Sequence, residues 1–442
     1  MDAWRWMTAT DLGQGIARNE IDPVDLTETY LEAIKTHPEA DRIYTVVTQD
    51  RARAEARAAR DRAQSGQRLG PLDGVPVSWK DLFDTSGIAT EAGTALMEGR
   101  VPDSDAEVLV NATAAGLVCL GKTHMSEIAF SGLGLNPITA TPPNLHDPEV
   151  VPGGSSSGAA ASVAHGLAAA AVGSDTGGSV RIPSAWNDLT GLKTTHGRLS
   201  LKGVVPLCLT FDTIGPLCRS VSDCALMLAA LEGRPAPDLT GSSARGLRVG
   251  ILQTVAMEDL REAPTAAFDH AVGRLRSAGV QVDSFEVPEL AEAFGFAGPL
   301  YTADSYAWWR DRIEAAPDKM FAQILKRIRP GGEVLAADYI AHWARLREIR
   351  AIYHAATAVY DAVIVPTAPI LPPNVARLLA DEDYYVTENL LALRNTRVGN
   401  LMDCPGVTLP TGVPSCGVLL NGKPGQEAHL LRVASAVEAA LA

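Results

Sequence analysis

Three short segments of the sequence hold residues that could together activate a serine. "GVPVSWKDLFD" carries Lys80 at the end of an apolar run. "PGGSSSGAAASVAHG" carries Ser155 and Ser156, and "GSDTGGSVR" carries Ser179 behind Gly177 and Gly178. A serine hydroxyl must lose its proton to attack a carbonyl, so some group within hydrogen-bond reach has to accept it. A neutral lysine can do this. Val75 and Val77 make a short apolar strand that would carry Lys80 inward. Keeping its amine neutral near pH 7, against an ordinary value near 10.4, requires about 4 to 5 kcal/mol of destabilisation of the cation, which burial without a carboxylate partner supplies. Taken alone, Lys80 is outweighed by the ordinary solvated lysine. "GSDTGGSVR" ends the small-residue strand "LAAAAVG" in glycines, a turn that could aim backbone N–H groups at one oxyanion. A plain strand-to-helix turn accounts for it equally well.

Two formal pattern matches fail on context. "GLVCLGKT" fits the phosphate-loop formula, but its four intervening residues are Leu, Val, Cys and Leu, which read as a strand and not as a glycine-rich turn. "GSSSG" fits the nucleophile elbow with Ser156 central. That elbow needs a strand directly before it, whereas "NLHDPEVVPGG" is a polar loop with two prolines. The downstream histidines, His165, His196, His270, His342, His354 and His429, read as surface or packing residues. What remains is a serine site without histidine.

The elements that must position these residues are legible from patterning. Asp22 and Pro23 signal a helix start before "VDLTETYLEAIKTH", and "QDRARAEARAARDRAQSG" is a second amphipathic helix. From Gly70 short apolar runs cut by Gly and Pro alternate with helical segments, as in an α/β sheet protein. "LRVGIL", "PTAAFDHAVGRLRSAG" and "VQVDSFEVP" read as strand, helix and strand of a βαβ unit. Residues 289–360 are mostly helical and aromatic-rich. A strand "AVIVPTAP", a loose acidic stretch "LADEDYY" and a closing amphipathic helix "GQEAHLLRVASAVEAALA" follow.

The 442 residues carry 52 acidic and 38 basic side chains, a net charge of −14, which argues against a sequence-independent grip on nucleic acid. Six cysteines without a C-x-x-C pair suggest neither a zinc site nor a disulfide framework. No apolar stretch approaches the roughly 20 residues of a membrane span, and no signal-peptide pattern opens the chain, so a cytoplasmic location is expected.

The stretch "PGGSSSGAAASVAHGLAAAAVGSDTGGSVRIPSAWNDLTGLKTTHGRLS" resembles the signature of the amidase signature family. "GPLDGVPVSWKDLFDTSGIAT", "GKTHMSEIAFSG", "TFDTIGPLCRSVSDCALML", "VIVPTAP" and "CPGVTLPTG" all fall in that family's order. The resemblance implies an α/β, three-layer α/β/α fold with a large mixed central sheet of about 11 strands surrounded by helices. It implies one domain over residues 1–442: an N-terminal helical layer (1–66), a signature core (67–235) and a helical insertion on the substrate side (289–360). It also implies a triad in which Ser179 is the nucleophile, Ser155, beside a cis peptide, relays the proton, and Lys80 is the base. Thr176, Gly177, Gly178 and Ser179 would supply oxyanion-hole N–H groups. Asp175 and Arg181 would hold that loop, with Ser156 close by. Ala129, Phe130, Tyr306 and Trp309 are candidate substrate-pocket residues.

The expected reaction is hydrolysis of a small amide through an acyl-enzyme, without cofactor or metal. Esters, anilides and carbamates are accessible to the same chemistry. The alternative is the glutaminase-type component of a tRNA-dependent amidotransferase. No nucleic-acid or membrane partner is expected, and the chain would be a monomer or homodimer. His124, Thr194, His196 and Cys208 depart from the family's usual residues, which bears on substrate and not on the triad.

Overall fold

The side chain of Asp22 accepts hydrogen bonds from the Val24 and Asp25 backbone N–H groups, with Pro23 in the first turn, so a helix runs over Pro23–Thr36. The helix Gln49–Gln64 packs on it and buries Ala52, Ala56 and Ala59, one face at helical spacing. These belong to a computed structural model that describes residues 2–442.

Behind this layer lies a mixed sheet of 11 strands. They are β1 (Tyr44–Val47), β2 (Pro76–Lys80), β3 (Val118–Thr123), β4 (Ala170–Asp175), β5 (Thr190–Lys193) and β6 (Thr213–Cys218). The second half contributes β7 (Arg248–Leu252), β8 (Gln281–Phe285), β9 (Ala362–Pro366), β10 (Gly406–Pro410) and β11 (Gly417–Asn421). Their spatial order is β1-β3-β2-β4-β6-β5-β10-β11-β9-β7-β8. The fold is therefore α/β, and "GLVCLGKT" indeed lies mostly in a strand. β7 and β8 pair in parallel across the helix Glu262–Ser277, as a βαβ unit requires.

Every residue of β2, β3, β4, β5 and β6 is buried, which means that helices cover both faces of the sheet there. The helix Ser157–Ala164, "SGAAASVA", is itself wholly buried and lies against β2, β3, β4 and β6. Its small side chains, facing the alanines of β4, allow that close approach. Gly173 in β4 is a requirement of the same contact, because a Cβ there would sit 2.5 Å from Ser156 Oγ.

Residues 289–360 fold into the helices Glu289–Ala315, Ala322–Ile328 and Ala336–Thr357, joined by short turns. One expectation is corrected. "LADEDYY" is not loose: it closes the helix Val375–Ala380 and opens the helix Glu382–Leu401. Asp381 accepts from the Tyr384 N–H, and Glu382 and Asp383 sit at the positive helix end, so the acidic run is a cap.

Candidate active site

β2 and β4 are parallel neighbours, third and fourth in the order of the sheet, so their carboxyl ends emerge side by side. Lys80 ends β2, and Ser174 and Asp175 end β4. The loop 176–180 leads from β4 into the helix Arg181–Trp186. Ser155 and Ser156 immediately precede the helix Ser157–Ala164, which delivers them to the same point. The Gly154–Ser155 peptide is cis.

Lys80 is 0% exposed, and its Nζ lies 2.7 Å from Ser155 Oγ and 2.8 Å from Ser174 Oγ. Neither partner is a carboxylate. Burial lowers its ammonium from the ordinary value to about 7, against the opposing pull of the Asp212 and Asp175 carboxylates. Ser156 is held aside: its Oγ donates to the Ser174 carbonyl (3.2 Å) and its N–H to the Ser179 carbonyl (3.1 Å). It braces the two serine clusters against each other and is not placed as an elbow nucleophile.

Asp175 shapes the loop. Its carboxylate accepts from the Gly178 N–H (2.9 Å), the Val180 N–H (3.1 Å) and both Arg181 Nε (2.9 Å) and Nη2 (2.8 Å). Burial by itself would raise this carboxyl, but the Arg181 guanidinium prevails and holds it well below the usual carboxylate range. Arg181 also donates to the Thr396 carbonyl and to Asn400 Oδ1, tying the loop to the helix Glu382–Leu401. One expected oxyanion donor is thereby corrected: the Gly178 N–H is taken by Asp175. The Thr176, Gly177 and Ser179 N–H groups make no such bond to another described residue. The side chain of Thr176 donates to Asp212, whose carboxyl burial pushes up to about 6.

Ser179, 3% exposed, lines a cavity with Thr176, Gly177, Ala129 and Phe130. The space is narrow. No histidine among the described residues borders it. Larger surface clefts, such as one of about 510 Å³ between Leu69 and Ala236, lie away from the three catalytic candidates.

The Amidase family profile matches residues 25–431. The chain belongs to the amidase family. Among curated relatives, 2-amino-5-chloromuconic acid deaminase of Comamonas testosteroni is 36% identical over 88% of this chain and 86% of its own. A glutamyl-tRNA(Gln) amidotransferase component from Anaeromyxobacter sp. (strain K) is 33% identical over 97% of this chain and 95% of its own. A crystallographically solved amidase superposes with a TM-score of 0.89 at 27% identity, covering 99% of this chain and 100% of that one. This family member is an enzyme that hydrolyses amide C–N bonds, and the 11-stranded sheet is the family's fold. No helix among the described residues is long and apolar enough to cross a membrane.

Two substrate-pocket expectations are corrected. Tyr306 hydrogen-bonds Glu314 at the surface, and Trp309 is buried with its Nε1–H on the Pro206 carbonyl. Neither reaches the cavity. The aromatic from this helix that does is Tyr301, five residues before Tyr306 and so turned by about 140° around the helix axis. Ser131, next to Phe130, completes the wall with Leu207, Arg327, Leu393 and Arg397, and these last four carry no local sequence signal. Ser174 was also missed, although it lies in the same cluster as Ser179.

Proposed function

We propose that this protein hydrolyses small amides through an acyl-enzyme on Ser179, with Ser155 relaying protons to Lys80. The reading rests on one observation: a fully buried lysine whose Nζ is 2.7 Å from a serine hydroxyl and has no carboxylate partner. Neutral Lys80 donates to Ser174 and accepts the proton of Ser155, which in turn takes the proton of Ser179. Ser179 Oγ then bonds to the substrate carbonyl carbon. The Thr176, Gly177 and Ser179 N–H groups stabilise the oxyanion. As the C–N bond breaks, the relay returns the proton to the leaving nitrogen. Water repeats the cycle on the acyl-enzyme and releases the acid.

Esters, anilides and carbamates pass through the same tetrahedral oxyanion, so the site accepts them where the cavity admits their acyl part. A second reading is favoured by the 33% identical amidotransferase component: release of ammonia from glutamine within a complex. Activity of the isolated chain on simple amides distinguishes the two.

The test uses a panel of p-nitroanilides, p-nitrophenyl esters, aryl carbamates, primary amides and glutamine on wild type and Ser179→Ala. A loss of at least about 10³-fold in kcat is expected. A fluorophosphonate should label the peptide containing Ser179. Undiminished turnover in the variant, or label on Ser156, would overturn the mechanism.

A further inference from the structure

The cavity in front of Ser179 contains two guanidinium groups and no acidic side chain. Arg327, from the helix Ala322–Ile328, and Arg397, from the helix Glu382–Leu401, both border it. Neither forms an ion pair among the described residues. The titratable groups acting on Arg327 are Arg397, which repels it, and the phenols of Tyr385 and Tyr301; Tyr301 alone acts on Arg397. Burial lowers both guanidinium groups from their ordinary value, Arg327 to about 10.

Arg327 is fixed rather than free. Its Nη1 donates to the Phe130 carbonyl (2.8 Å), and its guanidinium carbon lies 4.2 Å from the Phe130 ring centroid. Four of its five N–H donors remain. Arg397 sits 5.7 Å from the Tyr301 ring centroid and makes no hydrogen bond to another described residue. The Tyr301 hydroxyl, in the same wall, is buried and likewise has no partner among the described residues. Two half-buried cations and a fully buried phenol O–H thus border one cavity with most of their donors unpaired among the described residues. Such a set is matched by a carboxylate, whose two oxygens accept from a guanidinium fork. Besides Ser131 and the loop 176–179, the remaining wall includes Ala129, Leu207 and Leu393, which are apolar and suit a short carbon chain.

We propose that Arg327, Arg397 and the Tyr301 hydroxyl hold a carboxylate of the substrate, so that this enzyme acts on the monoamide of a short dicarboxylic acid. The inference rests on the Ser179 reading above and narrows its substrate to an anion.

Glutaramate and its neutral counterpart valeramide separate the possibilities, with ammonia release giving kcat/KM. Wild type should prefer glutaramate by about 100-fold or more, the scale of a buried charge pair. Arg327→Met and Arg397→Met should each reduce that ratio by at least about tenfold. A binding arm uses Ser179→Ala, which does not turn substrate over. Glutaramate should raise its unfolding temperature where valeramide does not, and adding Arg327→Met or Arg397→Met should abolish the shift. Circular dichroism confirms that the variants are folded.

Equal turnover of the two amides with equal thermal shifts overturns the inference and leaves the Ser179 mechanism standing. A glutaramate-specific, arginine-dependent shift without hydrolysis of either amide upholds acid recognition and overturns the mechanism instead. A preference for glutaramate that survives both arginine substitutions also overturns the proposal.

Discussion

Replacing the proposed base should make the protein more stable while abolishing its activity. Lys80 is fully buried, and its pKa falls from 10.5 to about 7 because burial penalises the ammonium. That drop corresponds to about 5 kcal/mol of preference for the neutral amine in the folded state. In the unfolded chain Lys80 is an ordinary lysine and stays protonated up to about pH 10.5. Folding therefore costs this energy in full below about pH 7, and the cost fades as pH rises from about 7 to 10.5. Lys80→Met keeps the length and volume of the side chain without the charge. It also leaves the Ser155 and Ser174 hydroxyls without a partner, which costs about 1 kcal/mol each. The variant should be about 3 kcal/mol more stable than wild type at pH 7 and about equal to it near pH 9. Urea unfolding of both proteins across this range measures the gap. In parallel, wild-type kcat/KM should rise about tenfold per pH unit below about pH 7 and level off above it, because only the neutral amine accepts a proton. A gap that does not change with pH, or a variant less stable than wild type at pH 7, would refute the argument that burial alone keeps Lys80 neutral.

Two further outcomes follow from the surroundings of the same lysine. Asp212 is the foremost group opposing the fall in the Lys80 pKa, so Asp212→Asn should move the acidic limb of the kcat/KM profile to lower pH, and a limb moved upward would contradict the assignment. Gly178 has φ of +140°, and a Cβ there would lie 2.1 Å from Thr396 Oγ1, which donates to the Gly177 carbonyl. Gly178→Ala should displace the oxyanion loop and lower kcat by about 100-fold or more. Steady-state kinetics at saturating substrate, with circular dichroism to check folding, measures this; an unchanged kcat would show that the loop tolerates the shift.

Local chemistry offered the candidates of the site, and the family resemblance gave them their roles. Lys80 follows an apolar strand, and the two glycine-serine clusters flank an alanine-rich segment too apolar for a linker. These patterns are short-range, because strand alternation, caps and tight turns depend on neighbours along the chain. The helix start at Asp22 was readable for the same reason. The helix Glu382–Leu401 was not, because its acidic first turn has the composition of a loop and only the cap geometry makes it helical. Tyr306 and Trp309 failed differently: the helix was foreseen, but which of its faces meets Ser179 depends on the packing of the whole segment 289–360.

The sequence by itself determined the alternation of strands and helices, which residue type and spacing set, and it offered Lys80, the two serines and the glycine turn as candidates whose roles came from the resemblance to the amidase signature family. Only the tertiary structure decided that β2 lies beside β4, which brings Lys80 within 2.7 Å of Ser155. It alone decided that Asp175 takes the Gly178 N–H and that Arg327 and Arg397, 70 positions apart, meet in one cavity. The physical reason is shared. Burial, desolvation and the approach of unlike elements are properties of the assembled core, and no window of neighbouring residues contains them.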